Sequence, residues 1–146
     1  GTFILPDDVF CPWRRDSFFG NRGVGFSIPS VSSEVTDKLE AILSKGDHSY
    51  LSGGVYCQTL GPSFETKAEI AFMSSFCTVV GMTAAQEVFL ACELGIKIAL
   101  LCMVDNYAHG VAQTPLTMLE VQQTCKRNSL KVLSVLEDIL NGYKNR

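Results

Sequence analysis

The sequence predicts an α/β fold, a mixed and largely parallel sheet flanked by helices. From Val55 onward, short apolar strand-like runs alternate with segments of helical apolar spacing, as strand–helix–strand crossovers require. The run Lys97 to Val104 is almost wholly apolar, the composition of a strand covered on both faces. Hydrophobic residues make up 47% and charged residues 18% of 146, which excludes a disordered tail and leaves enough apolar side chain for one core. We expect one domain, or part of one, over 1–146 with no internal boundary. Mean hydropathy of +0.19 further suggests a surface that meets other protein.

Each element has a local reason. Phe3-Ile4-Leu5 before Pro6-Asp7-Asp8 reads as a short strand ending in a turn. Phe10 to Pro29, with Trp13, Arg14, Arg15, Phe18, Phe19 and its glycines, has no period and reads as an irregular loop of aromatic contact area. Ser32 or Ser33 caps a helix over about Glu34 to Ser44, with Val35, Leu39 and Ile42 on one face and Gly46 ending it. Val55 to Leu60 is a strand, Thr66 to Phe76 a helix, Thr78 to Val80 a buried strand, and Ala84 to Leu94 a helix closed by Gly95. The last helix starts at Thr117, whose hydroxyl and Glu120 form a capping box. It ends near Asn141-Gly142, with Val121, Cys125, Val132, Leu136 and Ile139 as its apolar stripe.

Several function classes fall away. A net charge of −3 gives no broad attraction to phosphate backbones, so nucleic acid is not an expected partner. The longest apolar run, Ile98 to Val104, is far short of a membrane span, and no charged-then-apolar leader opens the chain. A cytoplasmic protein is expected, and Gly1 in place of Met reads as a chain trimmed, processed or cut from something longer. The six cysteines form no Cys-x-x-Cys pair and sit mostly among apolar neighbours, as reduced core thiols do. With only His48 and His109 as imidazoles, no metal site is expected.

In an open α/β sheet, ligands bind beyond the carboxyl ends of strands. Three segments fall there: Gly61-Pro62-Ser63-Phe64-Glu65-Thr66, Gly81-Met82-Thr83, and Asp105-Asn106-Tyr107-Ala108-His109-Gly110. They offer an aromatic face, a carboxylate, a hydroxyl at a helix start and a carboxamide, a kit for a flat nitrogen-rich ring and an anion. Each also has a plainer reading. Glu65 suits the first turn of a helix, Thr83 suits an N-cap, Asp105 and Asn106 suit a turn, Met82 suits the core, and His109 reads as a loop residue, not a base.

Together, Gly61 to Glu69, Val80-Gly81-Met82-Thr83 with Glu87, and Val104 to Gly110 resemble the trimeric purine nucleoside phosphorylases and methylthioadenosine phosphorylases. The likeness covers nearly the whole chain but only the carboxyl-terminal part of that fold. It implies a pentosyltransferase of purine salvage: inorganic phosphate attacks a purine nucleoside to give free purine and a sugar 1-phosphate, with no cofactor. Asn106 matches the base-recognising residue that donates to purine N7. Glu65 matches the carboxylate that accepts from N1–H, with Phe64 against the ring. Adenine N1 carries no proton, so Glu65 and Asn106 favour a 6-oxopurine. Thr83 matches the phosphate-contacting hydroxyl and Met82 the methionine beneath the ribose. Met118, with Val121 alongside, falls where methylthio-using members carry an apolar residue, which makes 5′-methylthioinosine the sharper guess, although Gln122 adds a polar group there. Phe18 to Arg22 looks like the segment that lends an aromatic residue, Phe19, to a neighbouring subunit of a homotrimer, or else packs an interface.

The chain departs from the family where Ala84-Ala85-Gln86-Glu87 lacks the proline that usually precedes the glutamate. The amino-terminal half of that fold carries the glycine-rich phosphate loop and further phosphate contacts, so the chain alone is expected to be inactive without that half in cis or trans. Two other readings stand beside this one: a nucleosidase that uses water, and a non-catalytic purine-binding or assembly module.

Overall fold

A computed structural model describes residues 1–13, 16–20, 26–113 and 116–144. Arg14, Arg15, Asn21 and Arg22 of the aromatic loop lie outside the described residues.

Among the described residues, two three-stranded sheets organise the fold. In one, β1 (Phe3–Leu5) lies between β3 (Tyr50–Ser52), parallel to it, and β6 (Cys102–Met103), antiparallel to it. In the other, β4 (Val55–Gln58) is central, with β2 (Asp8–Phe10) and β5 (Val79–Gly81) parallel on either side. Three of the four pairings are therefore parallel, as expected, but they divide between two short sheets.

Among the described residues, four helices cover them. The first, α1 (Ser33–Lys45), begins at Ser32, whose hydroxyl accepts from the Val35 amide, and stops at Gly46. Its buried face runs through Thr36 and Leu43, one position along from the Val35–Ile42 face read from spacing. The second, α2 (Lys67–Met73), starts in a full capping box. The Thr66 hydroxyl accepts from the Glu69 amide, and the Glu69 carboxylate accepts from the Thr66 amide at 2.7 Å. It ends three residues before Phe76. The third, α3, spans Ala84–Glu93, and the last, α4, spans Met118–Lys144, continuing through Gly142. At its start, Glu120 accepts from the Thr117 hydroxyl at 2.8 Å and returns its amide to the same oxygen.

Alternation along β4 sets the layers. Tyr56 points into a cluster with Cys11, Val88, Phe89 and Leu100, packing α3 on one face; Cys57 points into a cluster with Ile70 and Met73, packing α2 on the other. A third cluster, Phe3, Leu5, Leu43 and Val135, holds α1 and α4 to β1. Each fully buried Leu or Val contributes roughly 1.5–3 kcal/mol, so these clusters dominate stability.

Three expectations are corrected. Lys97–Val104 is not a long strand covered on both faces: among the described residues only Cys102 and Met103 of this run pair, with β1, and both are half-buried. Asp8–Phe10 and Tyr50–Ser52 pair as strands where a turn, a loop or nothing was expected. On α4, Cys125 and Leu136 are exposed, and the covered stripe runs through Val121, Thr124, Asn128, Val132, Val135 and Ile139. Leu130, Leu133 and Leu140 are exposed on another face. All six cysteines are free thiols. Cys11 and Cys57 are buried, and burial, with Cys77 nearby, pushes the Cys57 thiol up to about 12, so it stays protonated and unreactive. Cys125 alone is exposed. No helix among the described residues is long and apolar enough to cross a membrane.

Candidate active site

The three segments singled out by sequence meet at the carboxyl ends of β4 and β5. Gly61 has a φ of +61°, in the left-handed region that glycine tolerates, and a Cβ there would lie 2.6 Å from the Met82 sulfur. The Thr59 amide bonds the Gly81 carbonyl at 2.8 Å, drawing the two turns together. The third segment joins them through His109, whose Nδ1 lies 3.1 Å from the Glu65 carbonyl, and through Ala108, which packs against the Cys57–Ile70–Met73 cluster.

Glu65 is half-buried, and its carboxylate accepts from the Thr59 hydroxyl at 2.7 Å. A carboxylate has about four acceptor sites, so this bond orients the group and leaves the outer oxygen open. Phe64 beside it is 43% exposed, enough for a flat ring to lie on it. Asn106 is exposed, three residues before His109, and hence within roughly 11 Å of it along the chain. Its Nδ2 donates to the Tyr107 carbonyl at 3.0 Å, which fixes the amide orientation and leaves the second N–H for a ligand. The Glu65 turn and the Asn106 loop thus meet through His109 in one shelf.

On the adjoining side, the Tyr56 hydroxyl accepts from the amides of Thr83 and Ala84 at 3.2 and 3.3 Å, joining the start of α3 to β4. Burial raises the Tyr56 hydroxyl above its ordinary value, opposed by those two amides. Thr83 is exposed and stands at the N-cap position of α3, as the plainer reading has it, but its hydroxyl caps no helix amide. Ala84 and Ala85 enter α3 in regular helix without the family's proline. Tyr56→Phe removes the acceptor for two partly buried amides. It should lower stability by about 1–3 kcal/mol, read as a fall in urea midpoint at unchanged slope in the full gene product.

The other candidates lie on other elements. The amide before Phe19, that of Phe18, bonds Glu93 Oε2 at 2.7 Å, at the far end of α3 from Thr83, about 15 Å along the helix. Met118 and Val121 lie in the first turn of α4, Met118 exposed and Val121 half-buried. A cleft beside the start of α1, lined by Ser32, Glu34, Cys92 and Lys97, is separate from the shelf. There Lys38 and Lys97 hold the Glu34 carboxyl down at about 2. No three His, Cys, Asp or Glu side chains among the described residues are placed to hold a metal ion.

Comparison with known proteins accords with this architecture. Residues 1–141 match the model of the phosphorylase superfamily, and the chain belongs to that family. It is 39% identical over 152 residues to the probable S-methyl-5′-thioinosine phosphorylase of Methanocaldococcus jannaschii, covering 100% of this chain and 60% of that protein. It is 46% identical over 142 residues to the probable 6-oxopurine nucleoside phosphorylase of Archaeoglobus fulgidus, covering 94% of this chain and 56% of that protein. The chain therefore spans a little over half the length of these relatives. A methylthioadenosine phosphorylase from an antarctic soil metagenomic library has the same fold at a TM-score of 0.81 and 23% identity, over 96% of this chain and 52% of its own.

Proposed function

We propose that the protein containing this chain carries out phosphorolysis of purine nucleosides, with 6-oxopurines preferred and 5′-methylthioinosine favoured over inosine. The observation that supports this reading is the bond from His109, in the loop that carries Asn106, to the Glu65 carbonyl. The relatives named for 6-oxopurine nucleosides and methylthioinosine support it.

Phosphate oxygen forms a new bond to the anomeric carbon as the glycosidic bond breaks and its electron pair leaves with the purine. The sugar becomes oxocarbenium-like and the base gathers negative charge, so donors aimed at the base act mainly in the transition state. The free N–H of Asn106 donates to N7. The outer oxygen of Glu65 accepts from N1–H, and Phe64 lies against the ring. Thr83 holds phosphate, aided by the positive end of α3. Met82 lies under the ribose, and Met118 with Val121 takes the 5′-methylthio group. Phe19 serves the site of a neighbouring copy in a homotrimer. Residues 1–146 are part of one domain. The additional length that the relatives possess is where the remaining phosphate contacts belong, in the same polypeptide or a separate one. No cofactor enters this scheme.

The test is hypoxanthine release from inosine and 5′-methylthioinosine by the full gene product, with and without phosphate. Release that requires phosphate, faster with the methylthio substrate, is the expected result. Release without phosphate would instead make the protein a nucleosidase, and hypoxanthine binding without turnover would make it a binding module.

A further inference from the structure

The loop that carries Asn106 is fastened at both ends. Behind Asn106, the Asp105 carboxylate accepts from Asn128 Nδ2 at 2.8 Å and from Cys125 Sγ at 3.0 Å, both on α4. Ahead of it, the partly buried His109 ring places Nδ1 3.1 Å from the Glu65 backbone carbonyl. A carbonyl oxygen only accepts, so Nδ1 must carry the hydrogen, which fixes the ring's tautomer. Gly110 follows with a φ of +83° and lies so close to the start of α2 that a Cβ would sit 3.0 Å from Lys67 Cγ. Glu65 is thus gripped twice, at its carboxylate by Thr59 and at its backbone by the Asn106 loop.

A purine is rigid, so one group reaching N1 and another reaching N7 can bond together only if their separation is held within roughly 0.5 Å. We propose that His109 is a positioning residue that sets the separation of Glu65 and Asn106, and through it the preference for 6-oxopurines over 6-aminopurines. This rests on the reading of Glu65 and Asn106 as the base-contacting groups. His109 touches neither base nor phosphate; it acts through the Glu65 carbonyl. With the bond gone, either group still reaches the base, but not both at once. The oxo-base, which uses both, loses more than the amino-base, which gains nothing from a carboxylate at N1.

The experiment compares His109→Ala with His109→Asn in the full gene product, Asn placing an N–H donor near the position of Nδ1. His109→Ala should lower kcat/KM for inosine about tenfold, the worth of one hydrogen bond, with a smaller change for adenosine. His109→Asn should restore most of the inosine-to-adenosine ratio. Should the alanine variant fail to fold, His109→Phe fills the ring's volume without a donor and gives the same comparison. An equal fall for both substrates, or no recovery with Asn, overturns the proposal, since a purely structural residue would behave so. Nitrogen-15 NMR of the labelled wild type should show hydrogen on Nδ1, and a ring with hydrogen on Nε2 alone overturns it as well. A wild type that prefers adenosine overturns the reading of Glu65 itself. A wild type that prefers inosine, with its ratio unmoved by His109→Ala, overturns only the role of His109.

Discussion

Replacing Asn106 with alanine is expected to lower kcat on a 6-oxopurine nucleoside by about 10² or more, with little change in KM. One of its two N–H groups is spent on the Tyr107 carbonyl, so the amide is already oriented before any base arrives. In the proposed reading the other meets N7, which becomes a strong acceptor only as the glycosidic electrons reach the purine. A bond that strengthens with departing charge appears in turnover, not in ground-state binding. Steady-state kinetics on the full gene product decides it: a raised KM at unchanged kcat would show that Asn106 merely holds the substrate.

The second large effect is on substrate choice. Glu65→Gln should raise the ratio of adenosine to inosine turnover by roughly 10-fold to 10²-fold, the range for one hydrogen bond to a charged group. The Thr59 hydroxyl, 2.7 Å from Glu65 Oε1, can donate equally to a glutamine carbonyl oxygen, which turns the new NH₂ outward. An outward donor suits the bare N1 of adenine and opposes the N1–H of hypoxanthine. Competition between the two nucleosides in one assay gives the ratio directly, and an unchanged ratio would place the base elsewhere.

Much of this was legible because it is local. Ser32, Thr66 with Glu69, and Thr117 with Glu120 announce their helices, since a cap bonds amides only two or three residues away. Strands are defined by partners far along the chain. Asp8–Phe10 therefore reads as turn and loop and Tyr50–Ser52 carries no strand signal of its own, while the apolar run from Lys97 promises more strand than its pairing with β1 provides. The site divides the same way. Phe64, Glu65, Met82, Thr83 and Asn106 stand out by motif, but what brings them together does not: Met82 against Gly61, and His109 on a carbonyl 44 residues away. His109 looked like an ordinary loop residue because its partner is backbone, which no side-chain pattern reveals. On α4, spacing favoured Leu136 and Cys125 as inward-facing. The seam instead admits Asn128, because the group it meets, Asp105, is polar.

That amide has a mechanical meaning for the longest helix. Asn128 is 3% exposed and sits in a row otherwise lined by Val121, Thr124, Val132, Val135 and Ile139. A purely aliphatic row would let α4 ratchet by one turn, about 5.4 Å, with one branched side chain replacing the next. With Asn128 latched to Asp105, that step would strand an amide in hydrocarbon and set Thr124 or Val132 before a carboxylate, a loss of roughly 1–3 kcal/mol or more. The helix therefore has one resting place along its own axis, and the height at which Met118 is presented follows from it.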